Sequence, residues 1–213
     1  MSNKPFCSVA SLIFLICIAA SVVHGQNQTI IGLGGGISKA TGDGSEFWKM
    51  GFNINGELFQ RVSENVLIGG RLTYNRWNPD EEALENEVRN EFPGFSDLIF
   101  DISGSLSIIE VIPTLRLVSS VDREQQVQLF VQMGAGYYNL RSAGQVTVSY
   151  MGKSVTQSMD ASESDFGFDF GAGIIVGGAG HTRVSVYPMY SIVLTEGEST
   201  KYFVINLGIT FGG

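Results

Sequence analysis

In eight segments between residue 29 and residue 211, apolar residues recur at every second position. A period of two puts alternate side chains on opposite faces of a strand, where a helix would show a period of 3.6. Over 29–38, Ile31, Leu33 and Ile37 alternate with Gly32, Gly34, Gly36 and Ser38. Over 47–59, Trp48, Met50, Phe52, Ile54 and Leu58 alternate with Lys49, Gly51, Asn53, Asn55 and Glu57. Over 66–76, Val66, Ile68, Leu72 and Tyr74 alternate with Leu67, Gly69, Arg71, Thr73 and Asn75. A fourth strand covers 105–118, with Ile109, Val111, Pro113, Leu115 and Leu117 opposite Glu110, Thr114 and Arg116; residues 98–102 are a candidate extension of it. Pro113 cannot donate to the ladder, so a bulge or weak point is expected there.

Four more strands follow, over 126–140, 165–177, 182–195 and 201–211. Each repeats the design, as in Phe166, Phe168, Phe170, Ala172 and Ile174 against Asp165, Gly167, Asp169, Gly171 and Gly173. Most of the eight run to about ten residues, the length a tilted strand needs to cross a bilayer. Connections at 60–65, 119–125 and 178–181 are short, whereas those at 39–46, 78–97, 141–164 and 196–200 are longer or more variable. Short turns on one side and long loops on the other describe an antiparallel transmembrane barrel.

The direction of the apolar face follows from volume. The eight faces carry roughly 40 large side chains, and the interior of an eight-stranded barrel is only just wide enough to be filled by side chains. The glycine-rich polar face therefore points inward and the apolar face meets lipid. Lys49, Glu57, Arg71, Glu110, Arg116, Asp169 and Arg183 are then expected to form a charge network inside the lumen. It acts as a plug or, in the alternative reading, as the lining of a narrow porin-like channel. Trp48, Tyr74, Trp77, Tyr137 and Tyr190 are candidates for aromatic girdles at the membrane interfaces.

Composition sharpens this picture. Mean hydropathy is positive at +0.15 although the formal net charge is −8 and charged residues are only 16% of 213. An acidic chain is not a bulk nucleic-acid binder. Part of the hydropathy comes from the first residues. A basic start ending at Lys4, an apolar run over 9–23 and small residues before Gln26 read as a cleaved signal peptide over 1–25. The barrel domain would then be 26–213. Cys7 and Cys17 both fall within the leader, so the expected mature barrel has no disulfide and no cysteine metal site.

The block at 105–118, the Val131–Tyr138 run VQMGAGYY and the Phe168–Gly173 run FDFGAG resemble the small outer-membrane β-barrel family, which includes OmpA membrane domains and OmpX-like barrels. The closing run Asn206–Phe211 is similar to the signal read by the barrel assembly machinery, although Gly212 and Gly213 follow the aromatic. The resemblance implies an integral protein of a Gram-negative-type outer membrane, in contact with lipid and lipopolysaccharide.

Chemistry is sparse. Apart from His24 in the leader, the one histidine is His181, in an expected periplasmic turn, which disfavours a Ser-His hydrolase working at the outer rim. Neither a zinc set nor a phosphate loop is present, so no cofactor is expected. The strongest local feature is the loop at 78–97. Asn78-Pro79 starts a helix whose first turn is acidic, where the helix dipole favours negative charge. Leu84, Val88 and Phe92 mark its apolar stripe. Asp80, Glu81, Glu82, Glu85, Glu87 and Glu91 form a candidate interaction surface for cations, basic protein partners or ions bridging lipopolysaccharide. The expected function is non-enzymatic: an envelope-structural or surface-interaction barrel. A surface enzyme working through loop carboxylates ranks last.

Overall fold

The computed structural model describes residues 28–91, 99–119, 127–151, 153–177, 182–195, 197 and 199–212. The expected leader at 1–25, His181, Phe92 and Asp97 lie outside them. Eight strands form: β1 (Thr29–Thr41), β2 (Gly51–Ser63), β3 (Val66–Trp77), β4 (Ile99–Val118), β5 (Val127–Tyr150), β6 (Lys153–Val176), β7 (Thr182–Val193) and β8 (Thr200–Gly212). Helix α1 (Glu81–Glu91) lies between β3 and β4. Every strand pairs antiparallel with its neighbour, and β1 pairs with β8 to close the ring. Closure leaves no open edge within the ring, which is the condition for a β-structure in hydrocarbon.

The apolar face is outside. Leu33, Leu129 and Leu207 are about 60% exposed, and Ile31, Phe52, Ile68, Phe168 and Ile205 share that surface. The interior holds Glu57, Arg71, Glu110, Arg116 and Asp169, all buried, with Phe59, Ile108, Ile112 and Phe130. Inverted exposure of this kind is stable only where the outer solvent is itself apolar.

Both prolines within the barrel interrupt the ladder without shifting register. On the β5 side of β4, pairing runs to Val111 with Tyr137 and resumes at Thr114 with Gly134. On the β6 side of β7, it skips from Gly171 with Met189 to Ile174 with Val186. Pro113 and Pro188 sit in these gaps and stay paired on their other sides, with Gly70 and Ile205. The expected weak point at Pro113 is therefore present as a gap, not a bulge. A bulge occurs instead at Arg61/Ser63, beside the tight β2–β3 turn.

Two expectations need correction. Residues 141–164 are not a loop: β5 and β6 pair without a break from Val127 with Val176 to Tyr150 with Lys153. Their outer part is rich in Ser, Thr and Gln, so the apolar alternation that marks a lipid-facing strand fades while the backbone remains extended. Trp77 is not an interfacial girdle residue. It shares the parity of Arg71, Thr73 and Asn75 and points into the lumen, 1% exposed. Trp48 lies before β2, half-buried, packed against the interior cluster. Tyr74 and Tyr190 do lie on the outer face, against Phe52 (6.3 Å) and Phe170 (5.5 Å). Tyr137 is exposed there as well.

Candidate functional site

The lumen is occupied by two layers of paired charge. In the layer nearer the short turns, Arg116 of β4 donates through Nη2 to Glu57 of β2 at 2.9 Å. It also donates to Gln132 Oε1 of β5, from Nε at 2.8 Å and from Nη2 at 2.5 Å. The Tyr187 hydroxyl of β7 donates to the other Glu57 oxygen at 2.8 Å. The Arg116 guanidinium lies 4.2 Å from the Phe59 ring centre and 4.5 Å from that of Phe130, so aromatic faces replace much of its lost hydration. Room for this layer comes from Gly69, whose added Cβ would meet the Phe59 ring at 2.7 Å.

In the second layer, Arg71 of β3 donates to Asp169 of β6 at 2.5 Å and to Glu110 of β4 at 3.4 Å. It also contacts Thr73 Oγ1 at 3.1 Å and Met189 Sδ at 2.7 Å. Glu110 accepts from Asn75 Nδ2 and, at 2.5 Å, from the Tyr202 hydroxyl. Tyr138 completes the set with its hydroxyl 3.5 Å from Asp169 Oδ2. Gly167 makes space for it: a Cβ there would meet the Tyr138 ring at 2.7 Å. Trp77 caps the layer edge-on over Tyr202, ring centres 5.3 Å apart.

Of the seven charges expected to share the lumen, the structure brings five together: Glu57, Arg71, Glu110, Arg116 and Asp169. Lys49 is exposed before β2, and its backbone N–H donates to Asn78 O at 3.0 Å. Arg183 stands apart near the short-turn end, half-buried, donating to Gln128 at 3.2 Å. Both have inward parity but sit at opposite ends, beyond the layers. Tyr138, Tyr187 and Tyr202, the hydrogen-bond donors that complete the layers, are not among the lumen residues expected from the sequence. Their signal was parity, since each shares the inward face of its strand with the polar and charged lumen residues.

The mouth is tied down by backbone. A 3₁₀ turn at Ser45–Phe47 accepts from Asp80 N–H at 2.7 Å, and Trp48 bridges Pro79. Asp80 caps α1, accepting from Ala83 N–H at 3.4 Å. Glu81, Glu82 and Glu87 are exposed along the helix, and Glu85 pairs with Arg89 one turn later at 2.7 Å. Glu91 is the last helical residue. Among the described residues, no three His, Cys, Asp or Glu side chains converge into a metal-holding group.

Beyond the rim, β4, β5 and β6 continue as a three-stranded sheet over 99–106, 142–150 and 153–161. Its polarity is the reverse of the barrel's. The outward row is apolar up to Ile109, Tyr137 and Phe166. Two residues further along each strand it becomes Ser107, Asn139 and Ser164. On β5 and β6 it stays mostly polar to the tip, with Thr147 and Thr156 bonded at 3.0 Å and Ser149 and Ser154 at 2.8 Å. Arg141 and Asp160 pair at 3.0 Å on this face, and their hydrogen bond raises the Arg141 pKa further. The apolar row, with Ile102, Val146, Val148, Val155 and Met159, crosses to the face that continues the lumen wall. On β5 and β6 the switch falls at the same pairing, Tyr137 with Phe166 before Asn139 with Ser164, and on β4 it comes one outward residue later, since Ile109 pairs with Asn139. It marks where hydrocarbon gives way to water.

Among curated proteins, none matches this chain by sequence. Solved structures match by fold. The Yersinia pestis attachment invasion locus protein Ail, solved with the heparin analogue sucrose octasulfate, is 16% identical with a TM-score of 0.51, covering 89% of this chain and 100% of its own. Neisserial surface protein A is 9% identical with a TM-score of 0.53, covering 86% of this chain and 96% of its own. A major outer membrane protein of Thermus thermophilus is 9% identical with a TM-score of 0.51, covering 89% of this chain and 100% of its own. At these identities the likeness concerns the fold. The sequence model described as "Outer membrane protein beta-barrel domain" matches residues 10–211, and with the closed ring and apolar exterior this places the chain in that family, as an integral β-barrel of the outer membrane.

Proposed function

We propose that this barrel is non-enzymatic, that its lumen is a sealed structural core, and that its projecting sheet and acidic helix form an extracellular interaction surface. The observation that carries the reading is the continuation of β4–β6 beyond the rim with a polar outward face. A sheet of this length contributes nothing to spanning the bilayer. The occupied lumen supports the same reading, because the carboxylates of its two layers, Glu57, Glu110 and Asp169, are buried and engaged by an arginine, a tyrosine or both. The exposed carboxylates of α1 favour cations or basic protein segments as partners. Lipopolysaccharide, met through bridging ions, is a partner of the same chemistry.

The test has two arms. Purified barrel in planar bilayers is expected to give no reproducible conductance; steps altered by Arg116→Ala would replace the sealed core with a channel. Barrel in lipid nanodiscs is expected to bind poly-lysine at low salt. Isosteric, charge-removing substitution of Glu81, Glu82 and Glu87 by Gln should weaken that binding several-fold. Unchanged affinity would remove α1 from the interaction surface.

A further inference from the structure

On the membrane-facing surface, β1–β4 enclose a groove of about 530 Å³, within the size range of small-molecule sites. Ile31, Leu33, Leu58, Ile68, Leu72 and Val111 form its walls. Its floor is Gly56, Gly70 and Pro113: Gly70 pairs directly with Pro113, and Gly56 lies diagonal to Gly70, since Gly56 pairs with Leu72 and Gly70 with Leu58. At its short-turn end lie Thr29 and Gln60, paired with each other and outward in parity.

The two glycines are not required by the protein's own packing. A Cβ on Gly56 would come no nearer than 3.9 Å to Leu33 Cδ2, and one on Gly70 no nearer than 3.8 Å to Ile112 O. Neither residue has a positive φ. The inward-facing neighbour Gly69 differs, since a Cβ there would collide with Leu58 O and the Phe59 ring. Glycine inside a strand weakens it, and where crowding does not demand it, glycine marks a place that something else approaches closely. The surface is continuous with the belt that contacts lipid, so the approaching group is an acyl chain.

We infer that this groove is a binding site for one phospholipid of the periplasmic leaflet. An acyl chain lies over Gly56, Gly70 and Pro113 between branched walls. The polar headgroup end lies beside the Thr29 hydroxyl and the Gln60 amide, at the periplasmic rim defined by the short turns. Packing of methylenes against a preformed apolar trough holds this lipid more firmly than the fluid lipids around the rest of the barrel.

The experiment is native mass spectrometry of the full barrel in mild detergent, titrated with dipalmitoyl phosphatidylethanolamine. The wild type and Ala172→Leu, a lipid-facing change outside the groove, are expected to retain one lipid per barrel. Gly56→Leu/Gly70→Leu is expected to lower that retention about tenfold while keeping heat-dependent gel mobility. Equal retention in all three, or a broad ladder of adducts with no preferred single lipid, would overturn the site. A two-barrel mass that the groove-filling change abolishes would assign the groove to a second copy and overturn it too. Should the double variant fail to fold, a phosphatidylethanolamine carrying a photoreactive acyl chain is applied to the wild type. Labelling concentrated on peptides containing Leu58, Ile68 and Val111 supports the site, and even labelling around the barrel rejects it.

Discussion

Arg71 Nη2 lies 2.5 Å from Asp169 Oδ2, although β3 and β6 are three strands apart around the ring. The pair spans the lumen, and Glu110 shares the same guanidinium. Removing the cation would leave two buried carboxylates without a counter-charge, a situation that costs about 3–5 kcal/mol. Arg71→Ala should therefore destabilise the barrel by about that amount in urea unfolding from phospholipid vesicles. Arg71→Ala/Asp169→Asn should lose less than the sum of the two single changes. Strict additivity would mean that the two residues do not interact.

Trp77 and Trp48 are the chain's two tryptophans, and Trp77 lies inside the lumen. In Trp48→Phe, phospholipids brominated along their acyl chains should leave the remaining emission almost unquenched. Strong quenching would put Trp77 on the lipid face.

The polarity switch fixes the outer boundary of the hydrocarbon. Single cysteines bearing spin labels at Ile109, Tyr137 and Phe166 should be reached by oxygen from the bilayer. Labels at Ser107, Asn139 and Ser164 should be reached by a water-soluble nickel chelate. Two residues along each strand should be enough to reverse the preference. A gradual change over several positions would show that the boundary is not where the side chains switch.

Neighbouring glycines on β3 should respond oppositely. Gly69→Val forces atoms into Leu58 O and the Phe59 ring and is expected to cost about 1–3 kcal/mol or to prevent folding. Gly70→Val projects into open groove and should leave unfolding nearly unchanged. Similar losses from both would contradict the assignment of inner and outer faces.

The tip of the β5–β6 hairpin offers a stabilising change. Met151 has φ 47°, a left-handed conformation that costs most side chains roughly 1–2 kcal/mol. Met151→Asn should slow proteolysis at the tip on intact cells without altering heat-dependent mobility. Faster cleavage would show that the turn does not keep this geometry.

Much of this architecture was legible in the chain because Cβ direction alternates strictly along a strand. Parity alone put Glu57, Arg71, Glu110, Arg116 and Asp169 on one face and Ile31, Phe52 and Phe168 on the other. It also put Trp77 with Arg71, a signal outweighed by the expectation that aromatic residues near strand ends sit at interfaces. The hairpin beyond the rim was hidden for a different reason. Serine and threonine rows over 142–162 carry little hydrophobic contrast, and the side-by-side pairing of β5 and β6 is a long-range property.

By itself, then, the sequence determined how many strands form, which side chains share a face and which face meets lipid, since these depend on local periodicity and on volume. Only the closed ring decided who meets whom. Strand tilt and register bring Arg71 to Asp169 and Arg116 to Glu57 across the lumen, while Lys49 and Arg183, of the same parity, are left at its two ends. The lipid-facing groove is tertiary for the same reason: Gly56, Gly70 and Pro113 become one floor only when three strands lie side by side.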